Sequence, residues 1–124
     1  MSMTPLYEKI LLPEEGAEIS LNPMERTLLR LFLMHPEGIS ADDLPLHWRE
    51  LETIYAQESC FVDEALREEK LKSLCEESKR VFYATVSRIK RRFTKALGAS
   101  RAKAYYIARD MRGVYKTKAS MSGP

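Results

Sequence analysis

The sequence predicts an α+β domain with a short N-terminal β-hairpin, three core helices and a C-terminal β-hairpin. Three observations predict this class: two β-prone runs around a Pro/Gly turn near the start, an apolar helix with a strong start signal, and a long basic amphipathic helix followed by two more β-prone runs. At 124 residues the chain has room for one core. We therefore expect a single domain over residues 1–118 and a flexible tail over 119–124.

The first elements are marked by turn and cap residues. Residues 7–12 (YEKILL) and 17–21 (AEISL) flank PEEG, which predicts a hairpin. Asn22 can then cap a helix, Pro23 suits its first position, and Glu25 is placed for a capping box. The run HPEG (35–38) ends this helix, and Gly38 is the expected left-handed residue.

A second helix is expected after a single β-bridge at Ile39. Ser40 and Asp43 have capping spacing, and Pro45 should loosen the first turn without abolishing the helix. Apolar residues recur at helical spacing at Leu44, Trp48, Leu51 and Tyr55. The acidic residues 57–76 then lack one unbroken apolar period, so we expect an inserted loop with one or two short helical turns.

The basic helix is expected over residues 77–97, ending at Gly98. Its core-facing arc consists of Phe82, Val86, Ile89, Phe93 and Leu97. The opposite arc carries Arg80, Ala84, Ser87 and Arg91, with Arg88 and Lys95 on one side and Tyr83 on the other. After it, residues 103–108 (KAYYIA) and 114–117 (VYKT) are predicted strands, and Gly113 supplies positive φ between them.

Charge is distributed unevenly along the chain. Residues 1–70 hold 6 Lys/Arg and 15 Asp/Glu, whereas residues 71–124 hold 14 Lys/Arg and 3 Asp/Glu. The net charge of +2 hides this asymmetry, which favours nucleic-acid contact by the basic part. No apolar run reaches membrane-helix length and no signal peptide is evident, so we expect a cytoplasmic protein without a membrane partner.

Catalytic and metal-binding classes are not favoured by the sequence. Cys60 and Cys75 have no Cys or His two to four residues away, and His35 and His47 are isolated along the chain. We expect two reduced thiols, no metal and no cofactor. No nucleophile–base set or phosphate-binding Gly loop is visible, so we expect a protein that is not an enzyme.

The predicted order of elements is the layout of a winged helix-turn-helix. The residues also resemble a family, the OmpR/PhoB-type DNA-binding domain of bacterial transcription regulators. Three segments carry the resemblance, and together they cover about a third of the chain: ISLNPMERTLLRLFLMHPEGISADDL (19–44), VSRIKRRF (86–93) and RGVYK (112–116). The family implies double-stranded DNA as partner, with the helix at 77–97 in the major groove and a wing at 103–117 along the minor groove.

This hypothesis assigns the basic residues to two roles. Residues near the start of the helix approach base edges, so the base-contact candidates are Arg80, Tyr83, Ala84 and Ser87. Cations farther along the helix and on the wing neutralise phosphates, and these candidates are Lys79, Arg88, Arg91, Lys95, Lys103, Arg109, Arg112 and Lys116.

Several alternatives stay open at this point. The function expected is that of a stand-alone, sequence-specific transcription regulator, with a homodimer on DNA as one arrangement. The alternative is a winged-helix protein-interaction module whose basic face meets an acidic partner. The acidic residues 57–76 have three alternative interpretations. They form a solvated insert, a docking surface for RNA polymerase or another regulator, or a segment that rests on the basic face.

Overall fold

The computed structural model describes residues 9–120, which form a mixed α+β arrangement. The strands are β1 (Lys9–Leu12), β2 (Ala17–Ser20), β3 (Ile39–Ser40), β4 (Ala108–Arg109) and β5 (Val114–Lys116). The α-helices are α1 (Pro23–Met34), α2 (Trp48–Glu58), α3 (Glu64–Leu74), α4 (Arg80–Leu97) and the single turn α5 (Ala99–Ala102). Two short 3₁₀ helices lie at Pro13–Glu15 and Ala41–His47.

The N-terminal hairpin is confirmed, although positions 7 and 8 of its expected first strand lie outside the described residues. β1 and β2 pair antiparallel with Ile10 opposite Ile19, and both side chains are buried. Gly16 has a φ of 61° and closes the turn. Buried apolar residues at alternate positions turn one face of this hairpin toward the helices, and β2 packs against α4.

The capping box at the start of α1 is confirmed. The Asn22 side chain accepts a hydrogen bond from the Glu25 N–H at 2.8 Å, and the Glu25 carboxylate accepts one from the Asn22 N–H at 3.0 Å. The helix ends at Met34 with a buried face that includes Leu28, Leu31 and Phe32. The capping pair fixes the orientation of Glu25, which is fully buried.

The segment between α1 and α2 differs from the expectation in two places. Gly38 is left-handed as predicted, with a φ of 92°. Ser40 makes no capping hydrogen bond, so the second predicted cap is wrong; Ser40 instead extends the expected single bridge into the two-residue strand β3. Pro45 lies inside the 3₁₀ helix, and regular α-helical structure begins only at Trp48.

The acidic residues 57–76 contain more helix than their sequence indicated. The first two of them belong to α2, and Glu58 is buried in ion pairs with Arg26 at 2.7 Å and Arg30 at 2.9 Å. The rest contains α3, an eleven-residue helix, so the expected loop with one or two short turns is wrong. Only Leu71 and Leu74 of α3 are buried, which explains why no unbroken apolar stripe was visible.

Helix α4 begins three residues later than predicted. Lys79 has a φ of 60° and precedes the helix, so residues 77–79 lie outside it. Phe82, Ile89 and Phe93 are buried, while Val86 and Leu97 are partly buried against the same core. Gly98 ends the helix with a φ of 85°, and the extra turn α5 follows directly.

The C-terminal strands form a three-stranded sheet with β3, in the order β3-β5-β4. Ile39 lies opposite Tyr115, and Arg109 lies opposite Tyr115 on the other edge. The strand expected over 103–108 is wrong, because only its last residue is in β4, residues 103–105 form a turn and residues 106 and 107 lie outside the strands. Tyr105 helps to hold this segment away from the sheet. Its ring stacks on Phe93 with centroids 5.7 Å apart, and its hydroxyl donates a hydrogen bond to Glu14.

A single cluster of buried apolar side chains joins these elements. It includes residues of the N-terminal hairpin, of α1 to α5 and of β3. The tail expected over 119–124 falls largely outside the described residues, and Ala119 packs against the core. Within residues 9–120, no helix is both long enough and apolar enough to cross a bilayer.

Candidate nucleic-acid interface

The outer face of α4 carries a row of exposed cations. Arg80, Ser87, Arg91 and Lys95 are exposed and recur at the spacing of one helical face, while Ala84 between them is half-buried. Ser87, Arg91 and Lys95 line a shallow groove of about 560 Å³ together with Lys90 and Thr94.

Two further arginines of α4 are directed toward α1 instead. The buried Glu25 carboxylate accepts hydrogen bonds from Arg92 Nε at 2.7 Å and from Arg88 Nε at 3.3 Å. Arg88 also donates to Thr85 Oγ1 at 3.3 Å. These contacts anchor α4 to the first turn of α1, so the predicted phosphate contact Arg88 already has a carboxylate partner inside the protein.

The turn of the C-terminal hairpin is held by Asp110. Its carboxylate accepts hydrogen bonds from the N–H groups of Arg112 at 2.8 Å and Val114 at 3.0 Å, and Gly113 takes a φ of 84°. The bond from Val114 is the main reason that the pKa of Asp110 lies below its usual value. Because the turn is closed from within, the exposed side chain of Arg112 projects from a defined backbone.

An aromatic cluster joins this hairpin to the start of α4. The Tyr115 ring packs edge-to-face on Phe82 with centroids 5.0 Å apart and lies 6.3 Å from Tyr83. Burial raises the pKa of the Tyr115 hydroxyl. The cluster leaves a cleft of about 350 Å³ between α4 and the hairpin, and its lining includes Lys79, Tyr83, Arg109 and Arg112.

The predicted cations differ in what they contact inside the protein. Lys79 Nζ lies 2.6 Å from Asp42, whose hydrogen bond is the main reason that the Lys79 pKa is raised. Lys116 Nζ lies 3.5 Å from Asp110. Among residues 9–120, no ion pair with a carboxylate is formed by Arg80, Arg91, Lys95, Lys103, Arg109 or Arg112.

Some of the relevant residues were missed or misplaced by sequence reasoning. Lys103 is exposed in the turn that follows α5, so it does not flank the hairpin. Lys90 was not a candidate, yet it lines the α4 groove and its ammonium lies 5.4 Å from the centroid of the Tyr106 ring. Its position three residues after Ser87 was the signal that could have identified it.

Comparisons with known proteins identify no relative. No family model matches the chain, and neither the curated proteins nor the solved structures include a significant match.

Proposed function

We propose that this chain is a winged helix-turn-helix protein that binds double-stranded DNA as a stand-alone transcription regulator of the OmpR/PhoB-like type. In this proposal α4 is the recognition helix and the β4–β5 hairpin is the wing. The order β3-β5-β4 supports it, because the strand between α1 and α2 pairs with the hairpin that follows α4. The contact between Tyr115 and Phe82 holds that hairpin beside the start of α4.

The observation that carries the proposal is the presence of exposed cations both on α4 and on the hairpin that packs beside its start. Arg109 and Arg112 line one cleft with Tyr83 and Asp42, and Arg91 and Lys95 line a second groove farther along the helix. No acidic side chain of α3 forms an ion pair with α4 among residues 9–120, so the basic face is open to an external anion. Phosphates of a duplex are the anions that match such an extended surface.

Each candidate has a role that its position favours. Arg80 occupies the first turn of α4, where a helix in the major groove comes nearest the bases and arginine can pair with guanine O6 and N7. Tyr83 and Ser87 follow on the same side of the helix. Arg91 and Lys95 lie farther along and are assigned to phosphates, while Arg109 and Arg112 are assigned to the minor-groove side.

Titration of duplex DNA at several salt concentrations tests the proposal. About five phosphate contacts should give a log–log slope of affinity against salt of roughly −4 to −5. We expect strong binding at about 50 mM salt that weakens steeply as salt increases. Absence of binding at that salt concentration would contradict the proposal.

Paired substitutions separate the two roles. Arg112→Ala should weaken binding to all duplexes alike and reduce the salt slope by about 1. Arg80→Ala should cost about 1–3 kcal/mol more on a site selected from random duplexes than on random DNA. Lys72→Ala is the matched control, because this exposed lysine lies on α3 and contacts Glu68 of the same helix. Equal losses for all three variants would contradict the assignment.

A protein-binding module is the second candidate, and one observation favours it. Phe61, in the connection between α2 and α3, is 90 % exposed, and Leu66 on α3 is 42 % exposed. Exposed apolar side chains within the acidic stretch 57–76 suit a docking surface for RNA polymerase or another regulator. Two results together would replace the first candidate with this one. Purified RNA polymerase should bind the wild type and not Phe61→Ser, and neither protein should bind duplex DNA.

A further inference from the structure

Two histidines that are isolated in the sequence meet in the structure. His35 follows α1, and His47 ends the 3₁₀ helix before α2. Their rings pack edge-to-face with centroids 4.6 Å apart. Glu50, in the first turn of α2, lies between them, with His35 Nε2 2.8 Å from Oε2 and His47 Nδ1 2.9 Å from Oε1.

The geometry points to a binding site for a divalent transition-metal ion of the Zn²⁺ type, ligated by His35, His47 and Glu50. One ligand atom from each of the three residues lies within 4.8 Å of the others. In a tetrahedral zinc site with bonds of about 2.0–2.2 Å, neighbouring ligand atoms are about 3.4 Å apart. The two nitrogen–oxygen contacts use different oxygens of Glu50 and are shorter than this distance, while the ligand atoms as a set span up to 4.8 Å. Side-chain rotations that bring one Glu50 oxygen and both imidazole nitrogens to about this spacing would admit the ion.

A second carboxylate, Glu37, supplies the outer support that such sites use. Glu37 contacts His35 Nδ1 at 3.0 Å, on the opposite side of the ring from Glu50. A ligating imidazole typically donates its second N–H to a carboxylate, which fixes the ring and increases its basicity. Glu37 is therefore assigned as a positioning residue for His35.

The backbone around the cluster is already fixed. The His35 N–H donates to the Phe32 carbonyl at 3.2 Å, and its carbonyl accepts from the Gly38 N–H at 2.8 Å. Leu44 is buried within the 3₁₀ helix and holds the segment that carries His47 against the core. His35 is thus held just after α1 and His47 at the end of the 3₁₀ helix, which places both imidazoles beside Glu50.

The chemistry of the ligands selects the class of metal. Two imidazole nitrogens favour Zn²⁺, Co²⁺, Ni²⁺ or Cu²⁺ over Mg²⁺ and Ca²⁺, which prefer oxygen ligands. All three side chains are partly exposed, between 21 % and 34 %, so an ion can reach the site and a water molecule can complete its coordination. This inference is independent of the proposed DNA binding.

Calorimetric titration of untagged full-length protein with Zn²⁺ tests the site. The starting variant is Cys60→Ser, because the exposed Cys60 thiol is a competing ligand. We expect one ion per chain, with binding retained in millimolar Mg²⁺. No binding, or displacement by Mg²⁺, would overturn the proposal.

Substitutions then locate the ion. Glu50→Gln and His47→Ala should each weaken Zn²⁺ at least tenfold, Glu37→Gln should weaken it by about 10–100-fold, and the exposed Glu52→Gln should leave it unchanged. The two histidines are the only ones in the chain, so their ring NMR signals report on the wild type directly. Zn²⁺ should shift both signals together; Zn²⁺ binding that leaves either signal unmoved would overturn the assignment even if a variant failed to fold.

Discussion

Glu25 links the start of α1 to α4, and its removal tests how the candidate interface is held. The carboxylate is fully buried and accepts hydrogen bonds from Arg88, Arg92 and the Asn22 N–H. A hydrogen bond to a charged group contributes about 1.5–3 kcal/mol. The two arginine side chains are 41 % and 44 % exposed, so solvent screening reduces each contribution to about 1–1.5 kcal/mol.

These magnitudes distinguish two substitutions. Glu25→Gln preserves the capping box and one acceptor for arginine, so it should lower the free energy of unfolding by about 1–2 kcal/mol. Glu25→Ala removes all three interactions and should cost about 3–4 kcal/mol, equivalent to about 3–5 °C in Tm for each kcal/mol in a domain of this size. The control is Glu18→Gln, whose carboxylate is exposed on β2 and pairs only at the surface with Lys9.

Urea unfolding followed by circular dichroism measures these differences. The Glu25 oxygen that caps Asn22 also accepts from Arg92, so Glu25→Gln loses the other oxygen, which accepts from Arg88. Adding Arg88→Ala to Glu25→Gln should therefore cost less than Arg88→Ala alone, because the two residues share one interaction. Equal stability of Glu25→Gln and Glu18→Gln, or simple addition of the costs of Glu25→Gln and Arg88→Ala, would contradict this prediction.

Two further predictions concern backbone packing and thiol reactivity. Gly38→Ala should lower the free energy of unfolding by about 2–4 kcal/mol in urea titrations, because the added Cβ would lie 2.5 Å from Val114 Cγ1 and the residue has a φ of 92°. The control is Gly16→Ala, whose Cβ would have nothing within 4 Å and which should cost about 1 kcal/mol. Equal costs for the two substitutions would contradict this prediction. With a disulfide-forming thiol reagent near pH 8, Cys60 should react quickly and Cys75 slowly, because burial raises the Cys75 pKa to about 11. Cys60→Ser should therefore abolish the fast phase, and a fast phase that persists would refute the assignment.

Local signals made several elements predictable from the sequence. The capping box of Asn22 and Glu25 involves residues three positions apart, and the positive φ of Gly38 and Gly113 follows from the turns they close. The core arc of α4 was predictable for the same reason, since its period of 3.6 residues is a property of one segment. Helix α3 was not predicted, because its burial is confined to Leu71 and Leu74.

Long-range contacts account for most of what sequence reasoning missed. The ion pair between Glu25 and Arg92 spans 67 residues, so nothing in the spacing of the basic helix separates anchoring arginines from exposed ones. His35 precedes β3 in the sequence and His47 follows it, and their rings come into contact only because the chain reverses direction between them. Among the candidate cations, the structure distinguishes those with internal carboxylate partners, such as Lys79, from those that have none within residues 9–120, such as Arg112.

The most direct test of the proposed DNA binding is a backbone amide NMR spectrum recorded while a short duplex is added at low salt. If α4 and the hairpin bind DNA, the signals of Arg80, Tyr83 and Ser87 on α4, together with those of Arg112 and Gly113 on the hairpin, should shift with increasing duplex. Signals from α3 should stay in place. Shifts confined to α3, or no shifts at any duplex concentration, would contradict the claim that α4 and the hairpin form a DNA-binding surface.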